Sequence, residues 1–147
     1  MREILFRGKR IIKDPNADSE WIYGYISSDI YVDGIIGPVP MISMKLDGCN
    51  FRLHSPVYPD SVGQFTGKYD KNGEKVYEGD ILSILGGEYR GVVMWSDHDQ
   101  CYFISPNGDD HTTLGDFGDY GRKDYYEIIG NIYDNPELLE GGGVDGD

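Results

Sequence analysis

Histidine and aspartate stand close together at two places in the sequence, and these residue types could hold a metal ion. His98 lies between Asp97 and Asp99, and His111 follows Asp109-Asp110. Imidazole and carboxylate groups bind Zn²⁺ or Mn²⁺, but this spacing matches no closed site and lacks the twelve-residue loop of a calcium hand. We therefore interpret these residues as solvated turn residues and predict no metal and no cofactor.

Patterns typical of a catalytic nucleophile or a phosphate-binding loop are missing from the sequence. There is no Gly-x-Ser-x-Gly motif and no P-loop motif, and neither Cys49 nor Cys101 has a histidine at an interpretable spacing. His54, just before Ser55-Pro56, is better explained as an edge residue than as a general base. We predict a non-enzymatic protein with no catalytic residues.

The composition favours strands and disfavours binding to phosphate. The 147 residues include 12 Tyr, 21 Gly and a single alanine, which is typical of β structure rather than helix. With 13 Lys+Arg against 26 Asp+Glu, the net charge of −13 repels nucleic acid, and only residues 2–13 supply clustered bases. No apolar run approaches the roughly 18 residues of a membrane span, and no signal peptide is evident, so we predict a cytoplasmic protein.

Short apolar segments separated by Gly and Pro predict an all-β protein. The turn signals are Asp33-Gly34, Asp47-Gly48, Asn72-Gly73 and Asn107-Gly108, of the kind that two-residue hairpin turns favour. Pro56 and Pro59 mark the predicted boundary between an irregular N-terminal β region (1–58) and a small C-terminal β-barrel (59–140). Asn135 is predicted to cap one short helical turn, and the acidic tail 141–147 is predicted to be disordered. The predicted strands are Ile4–Arg7, Trp21–Ile26, Met41–Leu46, Phe51–Leu53, Val62–Thr66, Lys75–Tyr77, Ile81–Leu85, Val92–Trp95, Cys101–Ile104 and Tyr125–Tyr133.

Charge is segregated along the chain and suggests two candidate surfaces. Residues 1–13 carry a net charge of +4, whereas residues 134–147 carry −5. The basic segment 1–13 and the acidic remainder of the chain attract one another. An interface between the basic segment of one copy and the acidic part of another is therefore one use of this charge polarity. The candidate interface residues are Arg7, Lys9, Arg10, Trp21, Tyr23 and Tyr25. The candidate acidic surface consists of Asp97, Asp99, Asp109, Asp110, Asp116, Asp119 and Asp124.

Three blocks of sequence resemble the YopX-like family of phage and prophage proteins. The first is Met1–Arg10 with Trp21–Tyr25, the second runs from Pro59 to Ile81, and the third is Glu127–Leu139. The resemblance implies a mostly β, oligomer-forming protein of phage or prophage origin, found in the bacterial cytosol, and brings no catalytic residues with it. Within the second block, Tyr77–Ile81 resembles the entry to an SH3-like barrel, in which an acidic side chain hydrogen-bonds the preceding turn.

Taken together, these features predict a self-assembling accessory protein that binds a protein partner, either from the host or from the phage. Two alternatives remain open. The first is nucleic-acid binding through the basic N-terminal segment, which the net charge opposes. The second is an acidic mimic of DNA that occupies the DNA-binding surface of a host protein.

Overall fold

A computed structural model describes residues 4–12, 20–45, 52–109, 113–116 and 125–142 and contains almost only antiparallel β structure. The chain divides into two compact units, residues 1–65 and 66–147. The unit boundary therefore falls after Phe65, a few residues beyond the boundary expected from Pro56 and Pro59. No helix in the described part of the chain is long and apolar enough to cross a membrane.

The first unit is built from antiparallel strands in the order β4-β3-β2-β1-β5. A 3-10 turn at Pro59–Ser61 leads into β5, which crosses the boundary between the two units. The strands are β1 (Phe6–Lys9), β2 (Trp21–Tyr31), β3 (Pro38–Lys45), β4 (Arg52–Pro56) and β5 (Gly63–Tyr69).

One face of this sheet forms the apolar core of the first unit. Ile22, Ile42 and Val57 are buried there, and the partly buried Phe6, Met44, Leu53 and Val62 pack against them. Successive side chains of a strand point to opposite faces, so the even-numbered residues of β2 and β3 near this core line its inner side. A Cβ at Gly24 would overlap the carbonyl oxygen of Ser43, which shows how closely β2 and β3 approach each other.

The second unit contains a five-stranded antiparallel sheet in the order β10-β9-β8-β7-β11. Its main core cluster combines Val76, Leu82, Val93, Ile104 and Tyr126. A second cluster joins Ile81 and Val92 to Leu139 of the C-terminal helix. The elements are β6 (Lys75–Tyr77), β7 (Asp80–Ile84), β8 (Tyr89–Ser96), β9 (Cys101–Ser105), β10 (Gly115–Asp116), β11 (Tyr126–Asn131) and α1 (Glu137–Gly142).

Two buried carboxylates organise the turns of the second unit. The Oδ1 atom of Asp70 accepts hydrogen bonds from the backbone N–H groups of Asn72 and Glu74, both at 2.9 Å. Its Oδ2 atom accepts a third, at 3.1 Å, from the N–H of Ile128 in β11. Asp70 therefore joins the turn between β5 and β6 to a strand 58 positions away in sequence.

Asp80 plays the role that the resemblance to an SH3-like entry implied for an acidic residue. Its Oδ2 atom accepts a hydrogen bond of 2.8 Å from the backbone N–H of Tyr77, at the turn before β7. The barrel itself is not confirmed, because the sheet is open. The predicted closing strand, β11, pairs with β7 at one edge of the sheet, while β10 forms the other edge.

The turns occur at the predicted places but differ in type from the prediction. Type I′ turns need positive φ at both central residues, yet only the glycines of the described pairs have it: Gly34, Gly73 and Gly108. The turn at Asn72-Gly73 closes through a hydrogen bond from Asp70 N–H to the carbonyl of Glu74, so its loop is longer than two residues. The Asp47-Gly48 pair lies outside the described residues.

The C-terminal helical turn is confirmed, but the side chain of Asn135 has a different role. Its Oδ1 atom accepts a hydrogen bond from the N–H of Asn131, at the end of β11, rather than from the helix. Residues 141 and 142 complete α1, and residues 143–147 of the predicted tail lie outside the described residues.

Candidate interaction surfaces of the first unit

The register of strands β1 to β4 places aromatic and basic side chains together on the face opposite the apolar core. Residues that pair directly across antiparallel strands project to the same side. Arg7 pairs with Tyr23 and Lys9 with Trp21, while Ser43 pairs with both Tyr25 and His54. We call this surface the aromatic-basic face and define it as Arg7, Lys9, Trp21, Tyr23, Tyr25, Ser43, Lys45, Arg52 and His54.

Three of the candidate interface residues are the bases Arg7, Lys9 and Arg10, which lie in β1 or directly after it. None of them is an exposed cation. Arg7 is buried, and its guanidinium carbon lies 5.0 Å from the centre of the Trp21 ring, a cation–π arrangement. Lys9 is mostly buried and pairs with Glu20 at 3.7 Å. Arg10 is also buried, and strand alternation turns its side chain away from the face that carries Lys9. These bases therefore present little positive charge to solvent.

Tyr23 and Tyr25 supply the exposed aromatic rings of the face. Tyr25 is 52% exposed and Tyr23 is 41% exposed, so both present their rings to solvent. Ser43 lies between Tyr25 and His54 in register and is buried, and its Oγ atom has no hydrogen-bond partner in the described part of the chain. A buried hydroxyl group without a partner costs free energy, on the order of 1 kcal/mol or more.

Lys45 and Arg52 bring two positive charges side by side at one end of the face. They pair directly across β3 and β4, and both are exposed. No ion pair joins either of them to a residue that the structure describes. Like charges directly opposite one another destabilise a sheet. The contribution of this pair to the stability of the fold therefore does not explain why two bases occupy these positions.

The charge of the first unit contrasts with that of the second. Strands β1, β3 and β4 contain no acidic residue, and β2 contains only Asp29. The first unit has seven Lys+Arg and eight Asp+Glu, whereas the second has six and eighteen. Nearly all of the net negative charge of the chain therefore belongs to the second unit, and the exposed charges of Lys45 and Arg52 make one end of the aromatic-basic face positive.

The hairpin of β2 and β3 extends beyond its neighbours in the sheet. β1 pairs with β2 only as far as Gly24, and β4 pairs with β3 only as far as Met41, followed by a bond from the N–H of Val57 to Pro40. We call the remaining two-stranded part, residues 27–39, the arm. An isolated two-stranded ribbon is only marginally stable in water.

The end of the arm is apolar and exposed. Tyr31 is 77% exposed and Ile36 is fully exposed, while Ile30 is 39% exposed. Scattered apolar residues on a surface are ordinary, but a group of them on one projecting hairpin is typical of an interaction site.

The described residues of the predicted acidic surface lie at several places in the second unit. Asp97 and Asp99 lie in the turn before β9, whereas Asp109 follows the end of β9. Asp97 accepts a hydrogen bond from Trp95 Nε1 at 2.8 Å, and Asp99 pairs with His98 at 3.0 Å. Asp116 lies in the short strand β10, and Asp110, Asp119 and Asp124 lie outside the described residues.

Among the described residues, no group of three or more His, Cys, Asp or Glu side chains is arranged to hold a metal ion. Cys101 is half-buried at the start of β9, whereas His111 and Cys49 lie outside the described residues.

Sequence reasoning found the part of the aromatic-basic face that lies on β1 and β2 but missed the part on β3 and β4. Lys45 and Arg52 flank a turn signal, and their alternation with Ser43 and His54 was visible in the sequence. Assigning them to the same face as Tyr25 requires the register between strands, which alternation alone does not give. The arm was missed because Ser27-Ser28-Asp29 suggests a turn, whereas β2 continues through it to Tyr31.

These features define a two-unit, almost entirely antiparallel β protein. The model of the YopX protein family matches residues 38–140, more than half of the chain. The chain therefore belongs to the YopX family. The first resemblance block, at the N-terminus, lies outside the matched residues.

The fold has a counterpart among solved structures. The crystal structure of protein EF1440 from Enterococcus faecalis superposes with a TM-score of 0.51 over 95% of this chain and 99% of that one, at 19% sequence identity. At this identity the similarity concerns the fold alone. A search of curated proteins gives no match.

Proposed function

We propose that this chain is a non-enzymatic accessory protein that self-associates through the arm and binds a protein partner. The observation that supports self-association is the apolar end of the arm, where Ile30, Tyr31 and Ile36 are exposed on a two-stranded ribbon. Covering such side chains contributes roughly 1.5–3 kcal/mol each. A second copy of the arm would bury them and supply hydrogen-bond partners for the ribbon.

The family relationship supports the wider biological part of the proposal. The sequence blocks that resemble YopX-like proteins suggest a phage or prophage origin and a role in the cytosol of a bacterial host. A partner protein from the host or the phage would dock on the assembled form. Tyr and Arg are common anchors of protein interfaces, and the first unit offers both.

The test is the mass of the protein in solution over a wide range of micromolar concentrations, measured by light scattering after size exclusion. The unmodified chain is expected to form a dimer or a larger assembly. Ile36→Asp puts a charge at the apolar end of the arm and is expected to shift the equilibrium to the monomer.

Leu85→Asp is the matched control, because Leu85 is an exposed apolar residue in a turn of the second unit. It introduces the same charge and is expected to leave the mass unchanged. A monomeric wild-type protein at high micromolar concentration would refute self-association. Equal effects of both variants would refute the role of the arm.

A further inference from the structure

We propose that the aromatic-basic face of the first unit binds single-stranded nucleic acid, with bases stacking on Tyr23 and Tyr25 and phosphates contacting Lys45 and Arg52. This surface differs from the arm, so the inference does not rest on self-association.

The first argument is the pair of exposed positive charges on neighbouring strands. Lys45 and Arg52 stand directly opposite one another, and neither forms an ion pair with a described residue, in a chain that carries 26 acidic residues. A polyanion placed over them would convert a repulsive pair into two favourable contacts. The acidic second unit carries the negative charge that opposes nucleic acid in the sequence as a whole, whereas strands β1 to β4 carry four bases and one acid.

The second argument is the placement of the rings. Tyr23 and Tyr25 are two residues apart on one face of a strand, a separation of about 6.8 Å. This is about twice the axial rise of roughly 3.4 Å per nucleotide in one strand of duplex DNA, so two neighbouring bases need not share one ring. Each ring can therefore accept its own base. Aromatic rings combined with a positive groove are the usual means by which proteins bind single strands without sequence preference.

The third argument is the exposed imidazole ring of His54, which adds a hydrogen-bonding group to the face. Ser43 is 5% exposed, and its Oγ atom has no hydrogen-bond partner among the residues described. It lies between Tyr25 and His54 in register. The buried Oγ atom is closed to a ligand on the surface, whereas the exposed imidazole ring of His54 can hydrogen-bond a bound phosphate or base edge. Arg7 lies on the same face, and its guanidinium group contacts the Trp21 ring.

We favour single-stranded nucleic acid over an acidic protein segment because the face presents exposed aromatic rings as well as two positive charges. Pairing of charges alone would not require those rings. An acidic peptide would pair with Lys45 and Arg52 but would bring no planar group to stack on the exposed ring of Tyr25. Duplex DNA would present phosphates but keep its bases stacked inside the helix. Substitution of a tyrosine is therefore expected to weaken the binding of a single strand, but not the binding of an acidic peptide or of duplex DNA.

The test is fluorescence anisotropy of labelled oligodeoxythymidine titrated with the full-length protein. Two accessible phosphate contacts predict a slope of about −1.4 for log affinity against log salt. Tyr25→Ala is expected to weaken binding by about fivefold or more, through loss of one stacked base. Lys45→Gln is expected to weaken binding and to reduce the size of the salt slope by about 0.7.

Matched controls lie in the second unit. Tyr89→Ala removes an exposed tyrosine from β8, and Lys68→Gln removes an exposed lysine from β5. Neither is expected to change the affinity. Lys45→Gln also relieves the like-charge pair, so its melting temperature is expected to equal or exceed that of the wild type. Weaker binding in a variant that is at least as stable excludes unfolding as the cause.

Three outcomes would overturn the proposal. One is the absence of binding at low salt, and another is equal loss of affinity in the face variants and the control variants. The third is binding of polyglutamate or duplex DNA as tight as binding of the single strand and unaffected by Tyr25→Ala, because the face would then recognise charge alone. A change in molecular mass with Lys45→Gln would instead make the face an interface between copies.

Discussion

Asp70 is a buried carboxylate on which three backbone N–H groups converge, and replacing it by asparagine tests what those hydrogen bonds contribute. An asparagine keeps the shape of the side chain. Its amide oxygen can replace Oδ1 and still accept hydrogen bonds from Asn72 and Glu74, but as a neutral group. Its NH₂ group then faces the N–H of Ile128, donor against donor.

The magnitude follows from the three bonds. Hydrogen bonds to a charged group contribute about 1.5–3 kcal/mol, roughly twice those to a neutral one, and a buried unpaired donor costs about 1–3 kcal/mol. Removing the charge from a buried position offsets part of the loss. We expect Asp70→Asn to destabilise the second unit by about 2–3 kcal/mol. Asp70→Ala, which leaves all three donors without the carboxylate, is expected to destabilise it by about 4–5 kcal/mol.

The assay is urea denaturation followed by circular dichroism, combined with amide hydrogen exchange. For an m-value of about 2 kcal/mol/M, Asp70→Asn lowers the midpoint by about 1 M or slightly more. The amide of Ile128 is expected to exchange faster than its neighbours in β11. Glu88→Gln, an equal charge change at an exposed turn residue, is the control. A midpoint for Asp70→Asn equal to that of Glu88→Gln would refute the reasoning.

Four further substitutions test other parts of the second unit by the same denaturation assay. Gly91→Ala places a methyl group against the backbone of β9 and is expected to cost about 2–3 kcal/mol, whereas Gly86→Ala, in open space at positive φ, is expected to cost only about 1 kcal/mol. A smaller loss for Gly91→Ala than for Gly86→Ala would contradict the close approach of β8 and β9. Asp80→Ala leaves the buried N–H of Tyr77 without the carboxylate and is expected to lose about 2 kcal/mol. Trp95→Phe removes only an exposed hydrogen bond and is expected to change stability by less than about 1 kcal/mol.

The strands were largely predictable because their signals are local. Lys75–Tyr77 and the hairpin of β8 and β9 follow from β-branched and aromatic residues bounded by turn signals. The positions of the Asn-Gly turns were also predictable, since glycine tolerates positive φ there. Their type was not, because the carboxylate of Asp70 lengthens the loop after β5 by holding Asn72 and Glu74.

Side-chain burial and strand pairing that depend on contacts between distant segments could not be predicted from the sequence. Charge suggested Arg7 and Arg10 as interface residues, but both are buried within the first unit, and the ring of Trp21 from the next strand lies against Arg7. Similarly, the pattern of β11 is compatible with closing a barrel or with adding to one edge of a sheet. Its pairing with β7 decides between these, and that pairing joins segments more than 40 residues apart.

The position of β11 has a consequence for how the protein is made. β7 lies between β8 and β11 in the sheet, although β11 is synthesised last of the strands. During translation, one edge of β7 and the Oδ2 atom of Asp70 therefore lack their β11 partners until Tyr126–Asn131 leaves the ribosome. Until then the nascent second unit exposes an unpaired apolar edge, the feature of partly synthesised β proteins that invites aggregation and chaperone binding. A stop codon before residue 126 would make that transient state permanent.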